Sequence, residues 1–335
     1  MKLKTILYFP VLNWSFLKQR PQQILSQFAR NGWTVYFCNN TQTDEPMEEV
    51  EPNLFVIHNF ENLMNDIKYG KIKIDVAYAT WAKSAEYFDK VNAKLNIYDS
   101  IDEFPDWAPY ENFAVKSADI VLTSSQRLFD IRSVMHDNVY LVRNAAPSEY
   151  IDKESTKPKE YENIDGPIVA FIGALGSWTS TYLIKKVAEK YPTVFVGLEF
   201  GKQCPSNVIN LGCKNHDELY NYYAHADVCL IPFNTKTNIT QSASPVKMYE
   251  HLAAGTVTVA TKWHETDLYP SAVLTAANDE EFLIKVEEAI ELSKTHNVKE
   301  EAKRIASENT WEVRFRQIEE AIQDYTLKSG VSIES

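Results

Sequence analysis

Residues 244–260 read SPVKMYEHLAAGTVTVA, and this one stretch contains a helix start, a helix stop and a strand. Ser244 is a good N-cap residue, and Pro245 at the first helical position gives up an N–H that would be unpaired anyway. Gly255 suits the C′ position, where a left-handed backbone ends a helix, and the β-branched run TVTVA then reads as a strand. Helix, glycine stop and buried strand in so few residues are the repeat unit of a parallel α/β sheet. The first-turn amides of Val246 and Lys247 lack helical partners and lie at the positive end of the dipole. With the charge of Lys247 added, that turn suits an anion such as phosphate. Met248, Tyr249, Leu252 and Ala253 form the core-facing side, whereas Lys247, Glu250 and Ala254 share another stripe. A carboxylate one turn beyond a phosphate site accepts two hydrogen bonds from vicinal hydroxyls, as a ribose offers, so the pair spells a nucleotide. The alternative is a solvated i,i+3 Lys–Glu pair worth about 0.2–0.5 kcal/mol.

Working outward, the same alternation fills the chain. TILYFP, WTVYFCNN, LFVIHNF, IDVAYAT, LNIYDS, DIVLTSS and YLVRNAAP read as strands, with helices over 21–31, 82–93 and 111–117. After residue 167 a second set begins: IVAFIGAL, a helix over 179–190, TVFVGLE, VINLG, a helix over 216–224, DVCLIPF, the quoted helix, TVTVAT and SAVLTA. Helices over 279–293 and 298–326 follow, with a break expected near Asn309. Between the two sets, PSEYIDKESTKPKEYENIDGP (147–167) is polar and proline-bearing and reads as a linker. The fold class is therefore α/β, with two doubly wound Rossmann-like domains facing a cleft. Ligands bind beyond the carboxyl ends of the strands in such sheets.

A chain of 335 residues holds two domains by its length, and 44% hydrophobic residues supply two cores. The net charge is −12, and residues 1–150 already hold 15 basic against 19 acidic side chains, so both halves are acidic. That balance argues against nucleic acid as a partner and against a broad cationic face for anionic lipid. Cys38, Cys204, Cys213 and Cys229 form no CxxC pair and read as incidental thiols of a reducing compartment. No apolar run approaches the ~20 residues of a membrane span. MKLKTILYFPVLNWSF meets Pro10 and Asn13 too early for a signal peptide. The expectation is a cytoplasmic protein, with room for peripheral membrane contact.

SPVKMYEHLAAGTVTVAT resembles the donor-site motif of retaining glycosyltransferases of the GT-B fold, family 4 in particular, which often runs S-P-L-K-hydrophobic-aromatic-E-aromatic-L-A-A-G-x-P-V-V-A. RPQQILSQFARNGWTVYFCNN looks like that family's first helix and second strand, and YDSIDEFPDW resembles the Y-D-x-x-D-[DE] segment of a bacterial subgroup acting in surface polysaccharide assembly. ADIVLTSSQRL, VRNAAP and VINLGCKNHDELYNYYAHADVCLIPF agree in order and spacing, the last with the segment that reads the nucleotide base. NTWEVRFRQIEEAI resembles the closing helix that returns to the first domain.

The resemblance implies an acceptor-side domain over 1–150, a nucleotide-sugar-binding domain over 151–308 and a crossing helix over 309–335. It implies that Glu250 binds the donor ribose, that Ser244, Val246 and Lys247 hold the diphosphate, and that Ser242 belongs to the same nucleotide-sugar site. Gly212 and Cys213 would offer backbone to the base, and Gly173 with Ala174 would lie beside the diphosphate. The reaction implied is sugar transfer from a nucleotide-sugar, most often UDP-linked, to a glycan or lipid-linked acceptor. It proceeds with retention, without metal or other cofactor, in surface or extracellular polysaccharide biosynthesis. Two departures stand out. The family often has a glutamate eight residues before the ribose one, where this chain has Ser242, and the N-terminal glycine-rich loop is absent from FPVLNWSFLKQRP.

Asp99 and Asp102 follow the strand LNIY, where they could position the acceptor hydroxyl or touch the donor sugar; turn and cap aspartates are the alternative. On the acceptor side, Arg20 reads as a phosphate anchor or a surface arginine. Trp14, Trp178 and Trp263 read as sugar-stacking platforms or ordinary packing. The histidines, His216 among them, show no metal spacing and read as structural. IGALGSWTS lacks G-x-G-x-x-G, which removes a dehydrogenase, and neither G-x-S-x-G nor GK[ST] occurs. Two rivals remain: a nucleotide-sugar epimerase of the same fold, and a catalytically weak sugar-nucleotide-binding or coat protein.

Overall fold

A computed structural model describes residues 4–330. The chain divides into two compact units, one running to Arg143 and resuming at Trp311, the other Asn144–Thr310. The first carries β1 (Lys4–Tyr8), β2 (Trp33–Cys38), β3 (Glu48–Glu51), β4 (Leu54–Ile57), β5 (Val76–Ala79), β6 (Leu95–Ser100), β7 (Ile120–Thr123) and β8 (Val139–Leu141). Its helices are α1 (Arg20–Arg30), α2 (Phe60–Lys68), α3 (Phe88–Val91), α4 (Ala108–Ser117) and α5 (Gln126–Ser133). The second carries β9 (Val169–Ile172), β10 (Thr193–Val196), β11 (Ile209–Asn210), β12 (Val228–Ile231), β13 (Val257–Thr261) and β14 (Val273–Ala276). With them come α6 (Thr181–Ala188), α7 (His216–Ala224), α8 (Asn238–Ser242), α9 (Val246–Ala253), α10 (Asp279–Ser293) and α11 (His296–Ser307). A final helix, α12 (Trp311–Ser329), belongs to the first unit.

Both sheets are doubly wound. The order β3-β4-β2-β1-β5-β6-β7-β8 reverses between β1 and β5, and β11-β10-β9-β12-β13-β14 reverses between β9 and β12. Among the described residues, all pairings between these strands are parallel except β3 against β4. Every residue of β5, β7, β9, β10 and β12 is buried, as expected of strands covered on both faces. In the second unit the period-2 alternation sends Ala170, Ile172, Cys229 and Ile231 to one face, packed with α7, α9 and α11. Val169, Val228, Leu230, Val257 and Val259 go to the other, packed with α6 and α10. Each fully buried Leu, Val or Phe contributes about 1.5–3 kcal/mol.

Residues 147–167 are not a linker. Tyr150 and Tyr161 are 2% and 0% exposed in the second unit's core, and the Tyr220 hydroxyl donates to the Lys153 carbonyl at 2.7 Å. Aromatic anchors hold the strap down while its polar residues face water. The sequence reading also passed over β3, whose EEVE has no apolar alternation, and the short helices α2, α5 and α8.

Candidate functional site

In the second sheet the reversal between β9 and β12 opens a crevice at the carboxyl ends of those strands. β9 runs into Gly173 and Ala174, and β12 into Pro232 and Phe233. Helix α9 enters the same place. It ends as expected in a Schellman motif: Gly255 (φ 72°) donates to Leu252 O at 3.0 Å and Thr256 to His251 O at 2.9 Å. Its start differs by one residue. The N-cap position falls on Pro245, and Val246 opens the helix. Ser244 is therefore not the cap; its hydroxyl oxygen accepts from the Asn144 N–H at 3.4 Å, and its carbonyl accepts from the Asn144 side chain.

Lys247 sits in the first turn of α9. Its Nζ lies 4.6 Å from the Phe171 ring centroid and 5.4 Å from that of Phe233. A Cβ on Gly173 would fall 2.3 Å from this Nζ, so the ammonium occupies the notch that the missing side chain leaves. Gly173 also has φ +136°, which L side chains rarely adopt. Among the described residues no carboxylate lies within ion-pair distance of Lys247. Burial pushes its pKa down to about 8, against the opposing pull of Glu250 and Cys229. Aromatic faces compensate part of that cost, each by roughly 0.5–2 kcal/mol.

Glu250 is one turn further and only 6% exposed. Its Oε2 accepts from the Tyr223 hydroxyl at 2.9 Å, and its Oε1 lies 3.5 Å from His216 Nε2. The His216 ring stacks on Tyr150 at 6.1 Å. Lys247 and Glu250 thus form no solvated salt bridge, which removes the alternative reading of the pair: Glu250 is buried and Lys247 half-buried. Tyr223 and His216 were missed as site residues. The one available signal was a tyrosine near the end of the segment likened to the base-reading region.

Other residues fall less openly. Ser242, at the end of α8, is fully buried and donates to Ile239 O at 3.1 Å. Gly212 spends its N–H on Asn210 Oδ1 and its carbonyl on Gly197 N–H, both at 2.9 Å, which leaves Cys213 as the exposed member of that pair. Ala174 accepts from the Thr179 hydroxyl at 3.4 Å. Trp263 is 4% exposed and stacks on Phe233 at 5.7 Å, which makes it packing.

In the first unit, Asp99 lies inside β6 rather than beyond it. Arg20 opens α1, is 3% exposed, and grips Asp99 with two bonds of 2.7 and 2.8 Å. The Tyr78 hydroxyl adds a third bond to Asp99 at 2.7 Å. Arg20 is thus no surface arginine, and Asp99 no turn or cap aspartate; each has consumed the other's charge. Asp102, two residues past the strand, is only partly enclosed, and burial pushes its pKa up to about 7, with Arg20 pulling the other way. Trp14 packs edge-on against Phe37 at 5.1 Å, and its backbone N–H donates to Asn39 Oδ1 at 2.8 Å. Among the described residues no cluster of His, Cys, Asp or Glu could hold a metal, and no helix is long and apolar enough to cross a membrane.

Known structures share this architecture over nearly the whole chain. A sucrose-phosphate synthase from Thermosynechococcus elongatus is 14% identical with a TM-score of 0.75, covering 97% of this chain and 100% of that one. HepE from Anabaena, solved with UDP, is 14% identical with a TM-score of 0.68 over 96% and 100%. A glycosyltransferase from Rickettsia africae is 13% identical with a TM-score of 0.68 over 99% and 100%. The fold is that of the GT-B glycosyltransferases, two Rossmann-like domains. Residues 181–320, which include α7, α9 and the turns between them, match the family model described as glycosyl transferase-like. Among curated proteins no sequence matches.

Proposed function

We propose that this protein is a retaining glycosyltransferase that moves a sugar from a UDP-linked donor to a glycan or lipid-linked acceptor of a cell-surface polysaccharide. The observation that carries the reading is Lys247, a cation held against two aromatic rings at the strand-order reversal with no carboxylate at ion-pair distance among the described residues. Its ammonium and the first-turn amides of α9 stabilise the leaving diphosphate as charge develops there, which replaces the work of a metal cation. Glu250, one turn on, accepts from the ribose. HepE has been solved with UDP and with UDP-glucose, which supports this donor class. The motif of residues 244–261 supports family 4.

Calorimetric titration tests the reading. Glu250→Gln weakens UDP by about 1.5–3 kcal/mol, ten- to a hundredfold, and much more than it weakens free pyrophosphate. Lys247→Ala weakens both. Thermal unfolding is followed alongside because Glu250 is buried. Equal UDP affinity in wild type and Glu250→Gln overturns the donor site. UDP release that requires an added acceptor separates a transferase from an epimerase or a binding protein.

A further inference from the structure

Glu250 carries two oxygens, and the fold treats them unequally. Oε2 receives the Tyr223 hydroxyl at 2.9 Å, whereas Oε1 faces His216 Nε2 at 3.5 Å, beyond a good hydrogen bond. The His216 Nε2 is buried and has no hydrogen-bond partner among the described residues. Tyr223 is itself held from several sides: it is 2% exposed, its carbonyl accepts from the Thr256 hydroxyl at 2.7 Å, and its ring lies 5.2 Å from that of His251. His216 is held too, because its carbonyl accepts from the Tyr150 hydroxyl at 3.1 Å. Burial and the Glu250 charge push the Tyr223 pKa well up, which keeps the phenol a donor.

We infer that Tyr223 is a positioning residue that commits Oε2 of Glu250 and thereby presents Oε1 to the ribose hydroxyls of the donor nucleotide. The inference rests on the reading of Glu250 as the ribose carboxylate. A glutamate left alone loses rotamer freedom when a ligand arrives; one already fixed by Tyr223 does not, so the fixed geometry raises affinity for the ribose part alone. A carboxylate with one oxygen committed also favours a sugar carrying both vicinal hydroxyls over one lacking the 2′-hydroxyl.

The test titrates UDP, 2′-deoxy-UDP and pyrophosphate into wild type, Tyr223→Phe, Glu250→Gln and the double variant. Phenylalanine keeps the ring and its packing, and circular dichroism melts confirm that each variant folds. Tyr223→Phe is expected to weaken UDP about five- to tenfold, to narrow the preference for UDP over 2′-deoxy-UDP, and to leave pyrophosphate unchanged. In the Glu250→Gln background the same change adds nothing, since the two residues act as one unit. Equal losses for UDP and pyrophosphate, or an unchanged ratio of UDP to 2′-deoxy-UDP, overturn the inference and leave the ribose reading standing. Wild-type UDP affinity in Glu250→Gln overturns the ribose reading, and the inference with it.

Discussion

Each unit brings a cation and a carboxylate toward the carboxyl ends of its central strands, and the two treat them in opposite ways. In the first, Arg20 and Asp99 meet through two bonds of 2.7 and 2.8 Å and are closed off from water. In the second, Lys247 rests on aromatic faces while Glu250 is held by Tyr223, one turn away and unpaired with it. A buried pair neutralises itself and has little left for a ligand, since the desolvation of both charges is already offset internally. A cation kept from its counter-ion stays costly until an anion arrives, and the lowered pKa of Lys247 records that cost. The difference separates a structural clamp from a binding group, although both use the same kinds of residue.

The comparison breaks most visibly at Arg20. Arg20→Ala leaves Asp99 fully enclosed with the Tyr78 hydroxyl as its remaining side-chain donor, and is expected to cost about 3–5 kcal/mol of stability in urea unfolding. A loss below about 1 kcal/mol would mean that the clamp holds nothing. Next comes Gly173→Ala, whose new Cβ would fall 2.3 Å from Lys247 Nζ at a φ of +136°. Strain of about 1–3 kcal/mol is expected there, and the displaced ammonium should cost roughly tenfold in both UDP and pyrophosphate affinity, read by calorimetry.

The third prediction sharpens the account of Lys247 through pH. A lysine with its pKa lowered to about 8 is charged below that value and neutral above it, so UDP affinity falls as pH rises through 8. The limiting slope is about tenfold per pH unit. Phosphate groups finish ionising near pH 6, so the loss belongs to the protein, and Lys247→Met should abolish the slope. The smallest effect is at Asp102. Its folded pKa, pushed up to about 7, exceeds the unfolded value near ~3.9, so the folded state holds the proton more tightly. The stability it contributes is full below about pH 4 and is lost as pH rises through about 7. Because this side chain is only partly enclosed, solvent screening leaves a fraction of the full linkage, and Asp102→Asn should gain about 1 kcal/mol relative to wild type at pH 8 and nothing at pH 4, by urea unfolding at the two pH values.

How much of this was legible depended on whether the signal was local. Strand runs such as VAFI and VCLI carry their burial in their own residues, and helices 216–224 and 279–293 were read at the bounds they have. The stop at Gly255 was equally local. The start of the same helix was not, because Ser244 is drawn to Asn144, 100 residues earlier in the chain. Likewise nothing near Arg20 announces Asp99, 79 residues away, so the sequence offers a phosphate anchor or a surface arginine at one, a catalytic or a turn aspartate at the other, and no sign that they pair. The strap over 147–167 misled for a different reason: its composition is polar, while its anchoring rests on tyrosines at 150 and 161. For the donor region the residue types could be read in advance, but their partners could not. Phe171, Phe233, Tyr223 and His216 come together only through the sheet order.

The first unit is discontinuous, and that has a consequence for biosynthesis. α12 packs on α1, with Phe315 edge-on to Phe28 at 5.0 Å and Glu312 accepting from the Gln27 side chain at 3.1 Å. On the ribosome the whole stretch Asn144–Thr310 must be translated before those partners exist. At about 5–20 residues per second that is a wait of roughly ten to thirty seconds. The unit made second is therefore the one that can be completed first, and the nascent first unit waits with the apolar side of α1 uncovered, a window in which a holdase would find its client.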